Sequence, residues 1–406
     1  MKKYIVRPSY IKKVEPFIDK ALIKVMTGQR RIGKSYMLLQ IADMLRQRHL
    51  NANFIYIDKE QLDFAALKTE QDLYQYVQQH LKQSSPNYLF IDEVQEIDNF
   101  QLVLRSLLNE NACDIYCTGS NARILSGELA THLAGRYIEI HVHSLSYQEF
   151  LDFNQLEADG ESLRKYLIFG GMPYLHNLPM DENIIFEYLR SVYSTILLKD
   201  VVSRENIRNV SFLENLVAYL ADNTGSLFSA QNISKYLKSQ HVNIPTQTIL
   251  NYLRALCNSF FIYKLQRADT QGMKIFEIGE KYYFEDLGLH NAIRHFDFRR
   301  DVNKLMENVV CIDLMRAGYQ VYVGKSGSKE IDFIASKGGQ RIYVQVAYLL
   351  PDEATVEREF GNLLAIPDNY PKYVVTMDEM QCGSNYYGVK QMHLRDFLLA
   401  EDKERL

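Results

Sequence analysis

Gly28, Gly33, Lys34 and Ser35 fill the spacing GxxxxGK[ST] inside MTGQRRIGKSYMLLQ, residues 26–40. That spacing suits a triphosphate. Glycines let backbone N–H groups turn onto phosphate oxygens, and a helix N-terminus adds partial positive charge. A lysine can reach the β- and γ-phosphates while a hydroxyl ligates magnesium. Gly28, Gln29, Arg30, Arg31, Ile32, Gly33, Lys34, Ser35 and Tyr36 therefore form the candidate ATP-binding loop. A second half-site lies in NYLFIDEVQEI, where Asp92 and Glu93 follow an apolar run. Asp92 would join Ser35 in a Mg2+ shell, and Glu93 would orient a water against the γ-phosphate. Two acids in a row after a strand are also an ordinary solvated loop; paired with Lys34 they point to hydrolysis. The second acid disfavours transfer to a substrate hydroxyl, and with it a small-molecule kinase.

Further polar groups sit where a γ-phosphate could be sensed. CDIYCTGSNARIL ends in Thr118, Ser120 and Asn121. Ser120 and Asn121 both remain candidates, since Ser and Asn are also common helix caps. Arg136, in LAGRYIEI, is a candidate arginine finger, acting within the chain or across a subunit boundary, although a lone Arg at a strand edge is commonly a surface charge. His141 and His143 share one strand face but lack an evident third ligand, which favours a structural role over a metal site.

These groups need elements to hold them. ALIKVMT alternates as a short strand, and SYMLLQIADMLRQ repeats Met37, Leu38, Ile41 and Leu45 at helical spacing. Tyr88 to Ile91 are wholly apolar, as a central parallel strand should be, and parallel sheets bind ligands at the carboxyl ends of their strands. A chain of 406 residues exceeds one ordinary core, so two or three domains are expected. Five scattered cysteines argue against a disulfide framework or zinc cluster and for a reducing cytosol. The N-terminus does not read as a signal peptide, and no apolar run approaches the roughly 18 residues of a bilayer crossing, so the expectation is a cytoplasmic protein without a membrane partner. With a net charge of -4, any grip on nucleic acid must come from a local patch.

The series TGQRRIGKSY, LFIDEVQEI, TGSNARILSGELATHLAGRYIEI, SLSYQEFL, FGGMPY and YYFEDLGL resembles the bacterial and archaeal AAA-type (AAA+ superfamily) P-loop ATPases that carry a C-terminal domain of uncharacterised function. The resemblance extends over essentially the whole chain. It implies an α/β fold: a P-loop NTPase parallel sheet with helices on both faces, then a helical segment, a winged helix and a restriction-endonuclease-like α/β domain.

The residues read the same way in the middle of the chain. SFLENLVAYLADNTG spaces Leu213, Leu216, Val217 and Leu220 on one helical face and stops at Gly225. Ser229 caps a short helix, and Thr246 opens a third whose buried stripe is expected at Ile249, Leu250, Leu253 and Leu256. The runs FFIYKLQRA and MKIFEIG, joined by DTQG, read as a hairpin. Three helices and a hairpin make a winged helix. Its third helix would offer Gln247, Asn251 and Arg254 to nucleic acid, and its wing Lys264, Arg267 and Lys274. One Arg on the third helix is sparse, and many winged helices contact only protein.

From about residue 300, helix, strand, strand and strand follow in nuclease-like order. Restriction-type nucleases need an acid on the helix, an Asp on one strand and acid-x-Lys on the next. Glu307 and Asp332 fill the first two places, but Gln345 and Ala347 fill the others. A neutral amide is a poor ligand for a hard cation, and Ala brings no charge to the phosphorane. Little or no cleavage is expected unless a lysine from elsewhere, such as Lys329 or Lys337, takes the vacant role.

The expected organisation is an ATPase domain over 1–145, a helical lid or linker over 146–205, a winged helix over 206–295 and a degenerate nuclease-like domain over 296–406. The expected activity is that of an ATP- and Mg2+-dependent switch whose nucleotide state rearranges the later modules, acting on nucleic acid, with homo-oligomers in keeping with a trans-acting Arg136. The alternative is a nucleotide-controlled scaffold with a protein partner, and an ATP-dependent nuclease is least favoured.

Overall fold

Alternation and burial explain the first sheet. In the computed structural model, which describes residues 4–122, 133, 135–205, 207–239, 242–270, 273, 275–294, 298–327, 329–379 and 383–404 (backbone alone for 275–278 and 298–299), the chain divides into two units. One is drawn from Met1–His143 with Asn258–Phe260, the other from Ser144–Cys257 with Phe261–Leu406.

The first unit runs α1 (Pro8–Val14), β1 (Ile23–Thr27), α2 (Lys34–Arg48), β2 (Asn53–Asp58), α3 (Glu70–His80), β3 (Asn87–Asp92), α4 (Phe100–Asn109), β4 (Asp114–Gly119) and β5 (Tyr137–His141). The strands lie in the order β2-β3-β4-β1-β5, every neighbouring pair parallel. All five residues of β1 are buried, as a strand covered on both faces requires. Ile23, Val25, Leu89, Ile91, Ile115 and Cys117 face one core with Leu73 and Val77 of α3 and Val103, Leu104 and Leu107 of α4. The alternate residues Tyr88, Phe90 and Tyr116 carry the other face, where Phe90 and Tyr116 stack with centroids 4.9 Å apart. Helix α2 packs on β3 and β4 and buries the expected Met37, Leu38, Ile41 and Leu45. Helix α3 starts on a reciprocal cap, in which Thr69 Oγ1 accepts from Asp72 N–H and the Asp72 carboxylate accepts from Thr69 N–H. Since all five strands are parallel, their carboxyl ends share one edge. Register places Thr27 beside Gly119 and Asp58 beside Asp92 there.

The second unit contains α5 (Tyr147–Asn154), α6 (Gly160–Phe169), α7 (Glu182–Thr195), α8 (Val210–Asp222), α9 (Ala230–Ser239), α10 (Thr246–Asn258), β6 (Ile262–Asp269), β7 (Ile275–Phe284), α11 (Leu287–Ile293), α12 (Phe298–Arg316), β8 (Gln320–Ser326), β9 (Lys329–Lys337), β10 (Gln340–Val346), α13 (Glu353–Leu364), β11 (Lys372–Thr376), β12 (Asn385–Tyr386), β13 (Val389–His393) and α14 (Leu394–Leu399). Its eight strands form one mixed sheet, β12-β13-β11-β10-β9-β8-β6-β7. Phe333, Ala335, Ile342, Val344, Tyr373 and Val375 pack in one core with Val309, Val310 and Leu314 of α12, and Ile331, Tyr343 and Val374 in another with Phe360 and Leu363 of α13. The turn between β9 and β10 uses Gly338 and Gly339, both at positive φ.

Two details differ from the sequence reading. Leu250 is 39% exposed, while Tyr252 joins Ile249, Leu253 and Leu256 in the buried stripe, its ring against Phe212. Spacing i, i+3, i+4, i+7 from Ile249 leaves Leu250 on the flank. The hairpin β6–β7 does not stand apart as a free wing: β6 pairs in parallel with β8, Arg267 opposite Val323. The line expected between residues 295 and 296 thus separates strands that share a sheet. Among the described residues no helix is long and apolar enough to cross a membrane.

Candidate functional site

The glycine loop follows β1 at the carboxyl edge of the first sheet. Gly28 has φ 140°, and a Cβ there would lie 2.2 Å from the Val142 carbonyl oxygen and 2.5 Å from Ile32 Cδ1. Gly33, at φ 93°, precedes α2 in the left-handed region. Only glycine suits both places. We expect Gly28→Ala to cost on the order of 3 kcal/mol from overpacking and backbone strain. For a unit of this size that lowers the midpoint of thermal unfolding by about 6–12 °C, which a calorimetric scan checks.

Lys34 heads α2 with its ammonium buried. It donates to the carbonyl oxygens of Gly28 at 3.0 Å and Gln29 at 2.9 Å, and lies 3.9 Å from Glu93 Oε1. Gln29 is fully buried, yet neither polar atom of its amide has a hydrogen-bond partner among the described residues. A buried orphaned amide inside a loop of this kind marks a place for a ligand or water to complete it. Arg7 braces the loop from outside: its guanidinium donates to Ile32 O at 3.2 Å and His143 O at 3.0 Å. Buried Arg30 pairs with Glu60 at 3.2 Å, whereas Arg31 and Tyr36 face solvent.

Across the edge, Asp92 ends β3 and accepts from Thr118 Oγ1 at 2.5 Å and from the Ser35 hydroxyl. Burial pushes its carboxyl above the usual range, partly offset by those two bonds. Ser35 and Asp92 are therefore already neighbours, as a shared Mg2+ shell would require. Glu93 stands at φ 54°, a strained conformation for a non-glycine residue, with its N–H on Thr118 Oγ1 at 2.8 Å. Its Oε2 accepts from Ser120 Oγ at 2.9 Å and from Gln95 Nε2. Burial alone would raise this carboxyl, but Lys34, Arg30 and the bonds from Gln95 and Ser120 more than offset it and hold it below the usual range. Of the two residues left open after β4, Ser120 donates to Glu93, and Asn121, its neighbour in the chain, is buried as well. Gln95 and Arg7 were not singled out in the sequence, for neither belongs to a recognisable spacing.

Arg136 lies elsewhere. It precedes β5, donates to Asn109 Oδ1 at 2.5 Å, and its carbonyl accepts from Ile23 N–H at the amino end of β1. The length of a strand, about 16 Å, separates it from the phosphate loop, which rules out a finger acting within this sheet's own site. His141 Nδ1 lies 3.0 Å from Thr27 Oγ1, and its ring meets that of His143 at 4.5 Å.

On α10, Gln247, Asn251 and Arg254 are exposed together, Gln247 donating to Asn251 at 3.0 Å. Lys264 is paired with Glu280 at 2.8 Å, and Arg267 faces Glu330 at 3.9 Å. Two of the three expected wing cations thus have acidic neighbours; Lys274 lies outside the described residues.

Three of the four positions expected from the nuclease pattern come together at the second sheet, while Ala347 packs in the core against α13. Glu307 comes from α12, Asp332 from β9 and Gln345 from β10, with Ala347 just beyond. Gln345 Oε1 accepts from Asp332 N–H at 3.3 Å, and Asp332 Oδ2 accepts from Val346 N–H at 2.8 Å. Lys329 is exposed at the start of β9, and Lys337, at its far end, donates to Ala317 O at 2.8 Å. The lysine that does reach the cluster is Lys281 of β7, 3.0 Å from Glu307 Oε1, 2.9 Å from Glu330 Oε1 and 3.9 Å from Asp332 Oδ1.

Strand order, glycine loop and paired carboxylates at one sheet edge define a P-loop ATPase domain of the AAA type, and a family model described as an AAA domain matches residues 20–151. A second, a domain of unknown function (DUF8612), matches residues 160–300. The chain belongs to the same protein family as an uncharacterized protein of Haemophilus influenzae, to which it is 36% identical over 412 residues, covering 98% of this chain and 99% of that one. An uncharacterized protein of Methanocaldococcus jannaschii is 31% identical over 352 residues, 83% of this chain and 77% of the other. Among solved structures, the Aeropyrum pernix Orc1 protein in complex with DNA is 10% identical, with 74% of this chain and 95% of that chain covered at a TM-score of 0.35. The Thermotoga maritima RuvB branch migration motor is 15% identical, with 64% and 89% covered at a TM-score of 0.33. At these scores the likeness carries no functional inference.

Proposed function

We propose that this chain is an ATP-hydrolysing switch whose nucleotide state rearranges a winged-helix module and a nuclease-like module, and that it acts on nucleic acid. The observation that carries the reading is the convergence of Lys34, Ser35, Asp92 and Glu93 on one sheet edge. Lys34 would exchange the Gly28 and Gln29 carbonyls for phosphate oxygens. Ser35 and Asp92 would hold Mg2+, which supplies charge neutralisation across the phosphates. Glu93, kept ionised by its surroundings, accepts a hydrogen bond from water and aligns it with the γ-phosphorus. As the water oxygen bonds to phosphorus, the bond to the bridging oxygen of ADP breaks and the water proton passes to Glu93 or a phosphate oxygen. A carboxylate this acidic is a weak base, which suits a loose transition state where alignment matters more than proton removal.

The exposed face Gln247, Asn251 and Arg254 is the proposed nucleic-acid contact. A second reading, a protein partner, is favoured by exposed Leu250 on the same helix and by the acidic neighbours of Lys264 and Arg267. ATP turnover measured with and without single-stranded and duplex DNA decides between them. The first reading expects severalfold stimulation and binding that weakens with salt, the slope falling by about 1 in Arg254→Ala if that residue meets a phosphate. Turnover indifferent to both DNA forms, with no salt-dependent binding, would overturn the first.

A further inference from the structure

The carboxylates Glu307, Glu330 and Asp332 surround a point that a divalent cation would occupy in a nuclease-like site, but the donor set does not fit one. Lys281 fills that point: its Nζ lies 3.0, 2.9 and 3.9 Å from oxygens of Glu307, Glu330 and Asp332, and the side chain is 4% exposed. Two of the carboxylate oxygens carry further bonds, one of them an oxygen that Lys281 also contacts. Tyr283 OH donates to Glu307 Oε1 at 2.6 Å, and Val346 N–H donates to Asp332 Oδ2. Gln345, which would have to offer its amide oxygen to a metal, offers it to the Asp332 N–H. The backbone also closes over the cluster. Gly225, at φ 73°, sits so near that a Cβ would lie 2.9 Å from both Glu307 carboxylate oxygens.

We infer that Lys281 is the resident cation of this cluster, taking the structural place of a divalent metal and closing the site to Mg2+ and Mn2+. A metal of this kind needs about six oxygens at 2.0–2.6 Å, and a fixed ammonium amid the carboxylates both repels it and takes their lone pairs. Burial acts to discharge Lys281, but its acidic neighbours, Glu307 first, outweigh it and raise its pKa, so the cation persists across the working pH range, while burial and the Glu307 charge push the Asp332 carboxyl up. The lysine comes from β7, on the far side of β6 and β8 from β9 in strand order. It is therefore not a displaced catalytic lysine waiting beside a metal; it is the substitute for the metal. The inference goes beyond the proposed switch; it rests on the nuclease-like reading of this sheet and not on ATP hydrolysis.

The test uses full-length protein without nucleotide in an Asp92→Asn background, which removes the acidic ligand of the nucleotide site, with bound Mn2+ read by electron paramagnetic resonance. The parent should hold no tightly bound Mn2+. Lys281→Met should gain one Mn2+ per chain, at least about tenfold tighter than any parental binding, and lose it again in Lys281→Met/Asp332→Asn. A folded Lys281→Met chain that binds none overturns the inference. So does Mn2+ binding by the parent that Asp332→Asn abolishes, or Mg2+-dependent plasmid cleavage with the same dependence. Should Lys281→Met fail to fold, by circular dichroism, the parent and its Asp332→Asn variant still decide the matter.

Discussion

Replacing Lys34 by alanine is expected to lower affinity for a non-hydrolysable ATP analogue by at least about 100-fold. Two charge-assisted hydrogen bonds to phosphate would contribute roughly 1.5–3 kcal/mol each. The gain is not the full sum, since the ammonium must first give up the Gly28 and Gln29 carbonyls at 3.0 and 2.9 Å. The lower end, about 3 kcal/mol, corresponds to two decades in the dissociation constant. The fold should survive, because the carbonyls left behind lie at a loop edge that water can reach once the side chain is gone. Glu93 would lose its first electrostatic partner, so its carboxyl should move upward in the variant. Titration calorimetry on wild type and variant reads the effect. Affinities within threefold of one another would mean the loop does not grip the triphosphate through this residue.

Legibility in the sequence tracked distance along the chain. The phosphate loop and the acids after β3 were readable because each is a contiguous run whose strand and helix periodicities are local. Glycines at 28 and 33 stand where left-handed or crowded backbone demands them. What depended on direction in space was not readable. Ser120 and Asn121 are adjacent, and only the geometry shows Ser120 on Glu93. Arg136 was plausible as a finger within its own chain until the parallel register put it at the amino end of β5, opposite the loop, which leaves only the action across a subunit boundary. The charges of Lys264 and Arg267 looked available to phosphates because their acidic neighbours, Glu280 and Glu330, are distant in sequence. Lys281 is the clearest case. The acid-x-Lys pattern is a same-strand signal, so a lysine arriving from another strand leaves no trace in it, and 26 residues separate it from Glu307. Packing across a sheet edge, rather than any local propensity, decided each of these.

Glu93→Gln should separate binding from turnover. The substitution keeps size and hydrogen-bonding reach but removes the charge that aligns water, so hydrolysis is expected to fall by about 10²- to 10⁴-fold, the range for a positioned acid–base group. Nucleotide affinity should hold or improve, because a carboxylate 3.9 Å from the Lys34 ammonium competes with phosphate for it. Gln carries the same Cβ as Glu, so the backbone at φ 54° is no more strained in the variant, and a wild-type circular dichroism spectrum checks that it folds. The bonds from Ser120 and Gln95 also bear on pH. With the Glu93 carboxyl depressed, the competent ionised form persists on acidification until the pH falls through that lowered value. With saturating Mg2+ holding Asp92 ionised, turnover limited by Glu93 should therefore stay flat from neutrality through the ordinary carboxylate range, and the acid limb should move upward in Ser120→Ala, which removes one stabilising bond at 2.9 Å. Single-turnover kinetics across pH measure both effects. Wild-type rates in Glu93→Gln would transfer the water-aligning role to another group, and an acid limb unmoved in Ser120→Ala would show that the Ser120 bond does not hold the carboxyl down.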